Sequence, residues 1–141
     1  MSLEQNKAIV RRLFDEVYNA KNIALIDDLI APDFVDHNPV AGLEPGRAGF
    51  KQFIGLVATV FPDNRLTIDD LLAEGDRVAV RWTSYNTHTG GEFFGIPPSG
   101  RTAVFTGTTI YRVVNGKIVE LWYNADTMGL LTQLGAPSPL G

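Results

Sequence analysis

The fold is indicated most clearly by residues 111–126, whose sequence is YRVVNGKIVELWYNAD. Its central dipeptide, Asn115-Gly116, is preferred in type I′ turns because both central residues of that turn need positive φ. β-branched and aromatic residues stand on both sides of the dipeptide. The segments 102–114 and 117–123 are therefore predicted to be two strands of a hairpin.

Two further strands are predicted upstream of this hairpin. Alternating and β-branched residues occupy 65–74 and 77–87, and Gly75-Asp76 between them is a turn signal. A Gly- and Pro-rich insertion at 89–101 separates them from the hairpin. Because successive strands in such an arrangement run antiparallel, we expect an antiparallel meander.

The N-terminal part of the chain has a different period. Apolar residues recur at helical spacing and predict three helices, over residues 2–20, 22–31 and 46–61. The polar segment 33–46, rich in Pro and Gly, is predicted to be an extended loop between the second and third helices. A short helix is predicted near the C-terminus, at about 127–134.

Length and composition restrict the classes of function. The chain has 141 residues, as expected for a single domain over 1–141, and it contains no cysteine and therefore no disulfide. No apolar run approaches the roughly 18 residues of a membrane helix, and the charged N-terminus lacks a secretory signal, so a cytoplasmic location is expected. A net charge of −4 argues against nucleic-acid binding.

Helices followed by an antiparallel sheet predict an α+β architecture in which the helices cover one face of the sheet. If the sheet bends around the helices, the space between them becomes an apolar pocket open at one end. Its predicted lining is mostly aromatic, although the same side chains would also serve simply to fill a core. These residues are Phe34, Phe50, Phe53, Trp82, Phe94, Phe105, Trp122 and Asn124.

Several kinds of catalytic site are not expected. The two histidines, His37 and His88, are far apart in sequence and belong to no recognisable set of metal ligands. The sequence also lacks a Gly-rich phosphate loop and a Gly-x-Ser-x-Gly turn. We therefore expect no metal and no cofactor.

Three motifs together resemble the SnoaL-like polyketide cyclases. They are Asp-His-Asn-Pro at 36–39, Phe-Gly-Ile-Pro-Pro-Ser-Gly-Arg at 94–101, and an ending in which Trp122 and Asp126 precede Gly-Leu-Leu-Thr-Gln-Leu-Gly at 129–135. The resemblance implies the cone-shaped α+β fold of the ketosteroid isomerase and nuclear transport factor superfamily. In that fold three N-terminal helices pack on a strongly curved antiparallel sheet.

The resemblance also implies a reaction. It is a cofactor-free intramolecular aldol ring closure of a hydrophobic, polyketide-like carbonyl compound, with Asp126 as the acid/base residue. An apolar pocket would raise the pKa of such a carboxyl by desolvating it. His37 and His88 are predicted to assist, since both are expected near the pocket mouth.

Other interpretations remain open from the sequence. Asp126 is also well placed to cap the terminal helix, and His37 to organise its own loop. The same fold would serve a non-catalytic binding protein, or an epoxide hydrolase that places an arginine between two carboxylates.

The last predicted strand raises a question of orientation. In a regular strand Trp122 and Asp126 share one face, opposite Leu121 and Tyr123. Either the strand carries a bulge near its end, or Trp122 and Asp126 face the pocket while the opposite face meets a partner subunit. We favour the second arrangement, and the apolar residues on both faces of the last two strands predict a homodimer.

Overall fold

The computed structural model describes residues 2–137, in which four α-helices pack on one five-stranded sheet. The helices are α1 (Leu3–Arg12), continued in π-helical form as Leu13–Asn19; α2 (Ile26–Leu29), preceded by the 3₁₀ turn Ile23–Leu25; α3 (Gly46–Val60); and α4 (Thr127–Gln133). The strands are β1 (Ile30–Asp36), β2 (Arg65–Glu74), β3 (Arg77–Thr87), β4 (Thr102–Val114) and β5 (Lys117–Ala125). The predicted α+β class is confirmed.

The antiparallel meander is present from β2 to β5. Strands β2, β3 and β4 have the predicted bounds, and β5 extends two residues beyond its predicted end. At the β4–β5 turn Asn115 and Gly116 have φ values of 50° and 80°, so both adopt the positive φ that the dipeptide predicts.

The strand β1 was not predicted. Its residues were assigned partly to a helix and partly to a loop, yet they pair in parallel with β5, giving the sheet order β1-β5-β4-β3-β2. The expectation of a wholly antiparallel sheet is therefore wrong at this edge. Pro32 obscures the strand in the sequence, but a proline is tolerated in an edge strand, where one N–H is not needed for pairing.

The helices cover one face of the sheet because their apolar positions share one side. A capping box at Ser2 and Gln5 starts α1. Further along, Val10, Leu13 and Val17 are completely buried in the main core. The described helices include none long and apolar enough to cross a membrane.

A bulge decides which residues of β5 face inward. The register with β4 shifts between the pairs Arg112–Glu120 and Val113–Ile118, so one extra residue lies on β5. As a result Ile118 and Leu121 are both buried in the core despite their odd spacing. The bulge lies near the start of the strand, and the arrangement we favoured, with Trp122 facing the pocket, is wrong.

Candidate active site

The helices and the sheet enclose a cavity of about 720 Å³. Seven of the eight residues predicted to form its lining border it: Phe34, Phe50, Phe53, Trp82, Phe94, Phe105 and Asn124. Much of the lining surface is apolar, with β1, α3, the insertion at 89–101 and the sheet all contributing. A cavity of this size and character is typical of a site for a small organic molecule.

Trp122 is the predicted lining residue that the structure places elsewhere. Its ring stacks on the imidazole of His37 with centroids 4.9 Å apart, and the guanidinium of Arg77 lies 4.9 Å from the ring centroid. It is not part of the cavity wall. The side chain therefore belongs to the outer face of the sheet, as the β5 bulge requires.

His37 also lies on that outer face. Its Nε2 is 2.7 Å from Oε2 of Glu120, and 39% of its side-chain surface is exposed. Hydrogen bonds from His37 and Arg112 hold the pKa of the Glu120 carboxyl below its usual value. His37 thus joins a surface hydrogen-bond network with Glu120 and does not line the cavity, where it was expected to assist catalysis.

His88 is completely buried but lies behind the cavity wall. Its ring packs against Phe61 at 5.4 Å between centroids, and Nε2 hydrogen-bonds the backbone carbonyl of Gly91. Its backbone N–H donates to Arg101 O and its carbonyl accepts from Gly100 N, each at 2.9 Å. These contacts join the two ends of the insertion at 89–101, so His88 has a structural role.

Asp126 caps helix α4, which is one of the two roles that the sequence left open for it. Its Oδ1 accepts a hydrogen bond from the backbone N–H of Gly129 at 3.0 Å, at the start of α4. The residue is exposed and absent from the cavity lining, although Asn124, Ala125 and Thr127 around it do line the cavity. Asp126 was expected to face into the cavity, but its side chain caps α4 at the rim of the cavity.

Asp36 is a cavity carboxylate that was not among the predicted site residues. It is half-buried, lines the cavity and follows Phe34 on the same face of β1. Among the described residues, the other carboxylate in the lining is that of Glu44, which is exposed. Recognising β1 as a strand would have found Asp36, since Phe34 is apolar and alternate residues of a strand share a face.

The environment of Asp36 suits an acid/base residue. Burial raises the pKa of its carboxyl above the ordinary 3.8, and the hydrogen bond from the backbone N–H of Asn38 to Oδ1, at 2.8 Å, offsets part of that effect. Catalytic carboxylates that work near neutral pH are commonly tuned upward in this way.

Two hydrogen-bonded pairs of side chains line the same cavity. The indole of Trp82 can only donate, and it donates to Oγ1 of Thr109 at 3.0 Å. A second pair is formed by two tyrosines: the hydroxyl oxygen of Tyr111 is 3.1 Å from that of Tyr18, and either hydroxyl can donate. When Tyr111 donates, the Tyr18 hydrogen is left for a ligand.

The cavity tyrosines are held in the protonated form. Burial is the main cause that raises the pKa of Tyr18, Tyr111 and Tyr123, and the nearby negative charge of Asp36 adds to it. Their hydroxyls are therefore available as hydrogen-bond donors at neutral pH. Within residues 2–137, no group of three or more His, Asp or Glu side chains is arranged to hold a metal ion.

Comparison with known proteins gives consistent results. The family profile described as SnoaL-like polyketide cyclase matches residues 8–134. Nogalonic acid methyl ester cyclase of Streptomyces nogalater is 32% identical over 120 residues, which cover 81% of this chain and 86% of that protein.

Solved structures resemble the chain over almost its whole length. TsrD from Streptomyces laurentii superimposes with a TM-score of 0.87 at 28% identity, covering 97% of this chain and 99% of its own. IdmH from Streptomyces antibioticus gives a TM-score of 0.81 at 34% identity, with 94% and 99% covered.

Proposed function

Because the chain belongs to the SnoaL-like polyketide cyclase family, we propose that it closes a ring in a hydrophobic, enolisable carbonyl compound without a cofactor. The observation that carries this proposal is the half-buried carboxylate of Asp36 in the same apolar cavity as the hydroxyl of Tyr18, which is hydrogen-bonded to Tyr111.

The proposed reaction begins with removal of a proton from carbon. Asp36 takes the proton next to a substrate carbonyl, and a hydrogen bond from Tyr18 stabilises the enolate oxygen. The enolate carbon then attacks a second carbonyl of the same molecule and forms the C–C bond. The protonated Asp36 returns its proton to the new alkoxide, so the cyclised product is an isomer of the substrate.

The lining argues against the epoxide hydrolase alternative. That chemistry was expected to need an arginine between two carboxylates, and the described part of the cavity wall contains no arginine. A non-catalytic binding protein would use the same cavity, and it would be recognised by retention of a ligand without conversion.

The roles of Asp36 and Asp126 can be separated by one comparison. Nogalonic acid methyl ester, the compound in the name of the curated relative, is a reasonable first substrate. We expect Asp126→Asn to retain turnover within about threefold, because asparagine caps a helix about as well as aspartate. Chromatographic separation of substrate and cyclised product measures the rate. If Asp126→Asn abolished turnover while Asp36→Asn preserved it, the acid/base role would belong to Asp126.

We also propose that the outer face of the sheet pairs with a second copy of the chain. Val104 and Ile110 on β4 and Leu72 and Tyr85 on neighbouring strands are exposed hydrophobic residues. An apolar sheet face of this kind is typical of an oligomer interface.

Light scattering tests this pairing. We expect a mass about twice the 15.4 kDa of one chain, and Ile110→Glu should reduce it to that of a monomer because it places a charge within the contact. Leu3→Glu, at an exposed position on α1, is the matched control and should remain dimeric. A wild-type mass of one chain at micromolar concentration would refute the pairing.

A further inference from the structure

A cluster of polar side chains lines one part of the otherwise apolar cavity. It consists of Lys21, Asn64, Ser84 and Asn86, all of which belong to the lining. The last three are buried, with at most 9% of their surface exposed, and Lys21 is half-buried. We call these four residues the lysine cluster.

The three neutral members of the cluster bond to one another. Asn64 Nδ2 donates to Ser84 Oγ at 3.0 Å and to Asn86 Oδ1 at 2.7 Å. Asn86 Nδ2 also donates to Ser84 Oγ, at 3.0 Å. Because Ser84 Oγ accepts two hydrogen bonds, its own hydrogen can be donated either to Asn86 Oδ1 at 3.3 Å or to a ligand.

Lys21 contributes a charge that no carboxylate balances. Its Nζ donates to Asn64 Oδ1 at 2.5 Å and to the backbone carbonyl of Tyr18. It takes part in no ion pair with an acidic side chain among residues 2–137. An ammonium carries three donors, so one remains available. Burial lowers the pKa of Lys21, because desolvation destabilises the charged ammonium.

The position of the cluster relative to Asp36 defines a direction across the cavity. Ser84 and Asn86 lie on β3, whereas Asp36 lies on β1, and β4 and β5 separate the two strands. Three strand spacings correspond to about 14 Å along the sheet. A ligand that contacts both the lysine cluster and Asp36 would therefore span about 14 Å along the sheet.

We infer that the lysine cluster is a subsite for a negatively charged oxygen of the ligand, either a carboxylate or an ionised enol. Lys21 and the Ser84 hydroxyl donate to that oxygen, and charge-assisted hydrogen bonds of this kind are stronger than neutral ones. This inference deepens the proposed function, because it adds a chemical requirement for the substrates of the same cavity.

Binding of paired probes tests the subsite without any chemistry at carbon. Anthraquinone-2-carboxylate and its methyl ester share one ring system, and only the first is an anion at pH 7. Isothermal titration should show wild type binding the carboxylate about 10-fold more tightly than the ester, or more. The ionised enol of 2-acetylindane-1,3-dione and its methyl enol ether form the second pair. A preference confined to one pair identifies which anion the subsite accepts.

Variants distinguish the subsite from a merely structural lysine. Lys21→Met should remove the preference for the anion, and Lys21→Arg should keep it. Phe105→Leu, elsewhere in the lining, should weaken both members of a pair equally. Equal binding of anion and neutral partner in both wild-type pairs would overturn the inference, as would a preference that survives in folded Lys21→Met. The wild-type ratios need no variant, so a folding defect in Lys21→Met leaves the test intact.

The outcomes separate this inference from the proposed function. Neither anthraquinone probe undergoes ring closure, so a protein without cyclase activity can still show the preference. Conversely, cyclisation by a protein that binds anion and ester equally would refute the subsite and leave the proposed function standing.

Discussion

Replacing Asp36 by asparagine is expected to lower the rate of ring closure by about 10²–10⁴-fold, the usual contribution of a general acid/base residue. The amide cannot take a proton from carbon at neutral pH. It keeps an oxygen to accept the hydrogen bond from the backbone N–H of Asn38, so the local backbone should be preserved. Turnover of nogalonic acid methyl ester by both proteins, followed chromatographically, measures the difference.

The stability of this variant serves as its control. Burial raises the pKa of Asp36 in the folded protein, so the ionised carboxyl opposes folding at pH 7. The contribution of Asp36 to the free energy of unfolding is therefore greatest at low pH, where the carboxyl is protonated. It is lost as the pH rises through the raised pKa of the folded protein. Asp36→Asn should therefore unfold at no lower a temperature than wild type at pH 7. Loss of activity accompanied by loss of folded structure would leave no support for a catalytic role.

The pH dependence of kcat/KM is expected to report the same group. A general base must be ionised, so the rate should rise as the pH increases through the pKa of Asp36. The midpoint of this acidic limb should lie above the ordinary value of 3.8 because burial raises that pKa. The limb should be absent from the residual activity of Asp36→Asn, and a limb that persists would assign it to another group.

The second large effect is expected from Gly90→Ala. A Cβ at Gly90 would lie 1.5 Å from the carbonyl oxygen of Thr59 and 2.7 Å from its carbonyl carbon. Both are backbone atoms, so the insertion at 89–101 would have to move away from the end of α3 and lose the hydrogen bond from Gly90 N to Val60 O at 3.0 Å. We expect a cost of about 1–3 kcal/mol or more, measured by thermal unfolding as a decrease in Tm of roughly 3–10 °C.

Gly55→Ala is the matched control for this substitution. Gly55 lies within α3, where an added Cβ meets no atom within 4 Å. Alanine is the better helix former by about 1 kcal/mol, so this variant should be neutral or more stable. An unchanged Tm for Gly90→Ala would show that the insertion does not depend on this close approach. Because Phe93 and Phe94 of the insertion line the cavity, Gly90→Ala should also weaken ligand binding.

Local sequence signals were sufficient for most of the fold. The bounds of β2, β3 and β4 follow from alternation between clear turn signals, and Asn115-Gly116 adopts the backbone that its residue types favour. In contrast, β1 forms because β5 offers it a pairing edge. That stabilisation comes from residues about 85 positions away, so a window along the sequence cannot detect it.

The candidate site depended on the two features that were hardest to predict. Without β1, the shared face of Phe34 and Asp36 was not apparent, and the family resemblance implied the acid/base role for Asp126, which the structure places as a helix cap. Trp122 was predicted to face inward because it shares a strand face with Asp126, whereas it stacks on His37 outside the cavity. The aromatic lining was predictable because apolar residues on helices and strands face the enclosed side in any such fold.

Exchange of carbon-bound hydrogen for deuterium tests the central claim most directly. In D₂O, Asp36 should take the acidic proton of an enolisable 1,3-dicarbonyl substrate, exchange it with the solvent and return deuterium to the carbon, which proton NMR detects even when no ring closes. We expect wild type to accelerate this exchange well above the buffer rate, Asp126→Asn to do so nearly as well, and Asp36→Asn to fall to about the buffer rate. Undiminished exchange by Asp36→Asn would contradict the assignment of Asp36 as the acid/base residue of this cavity.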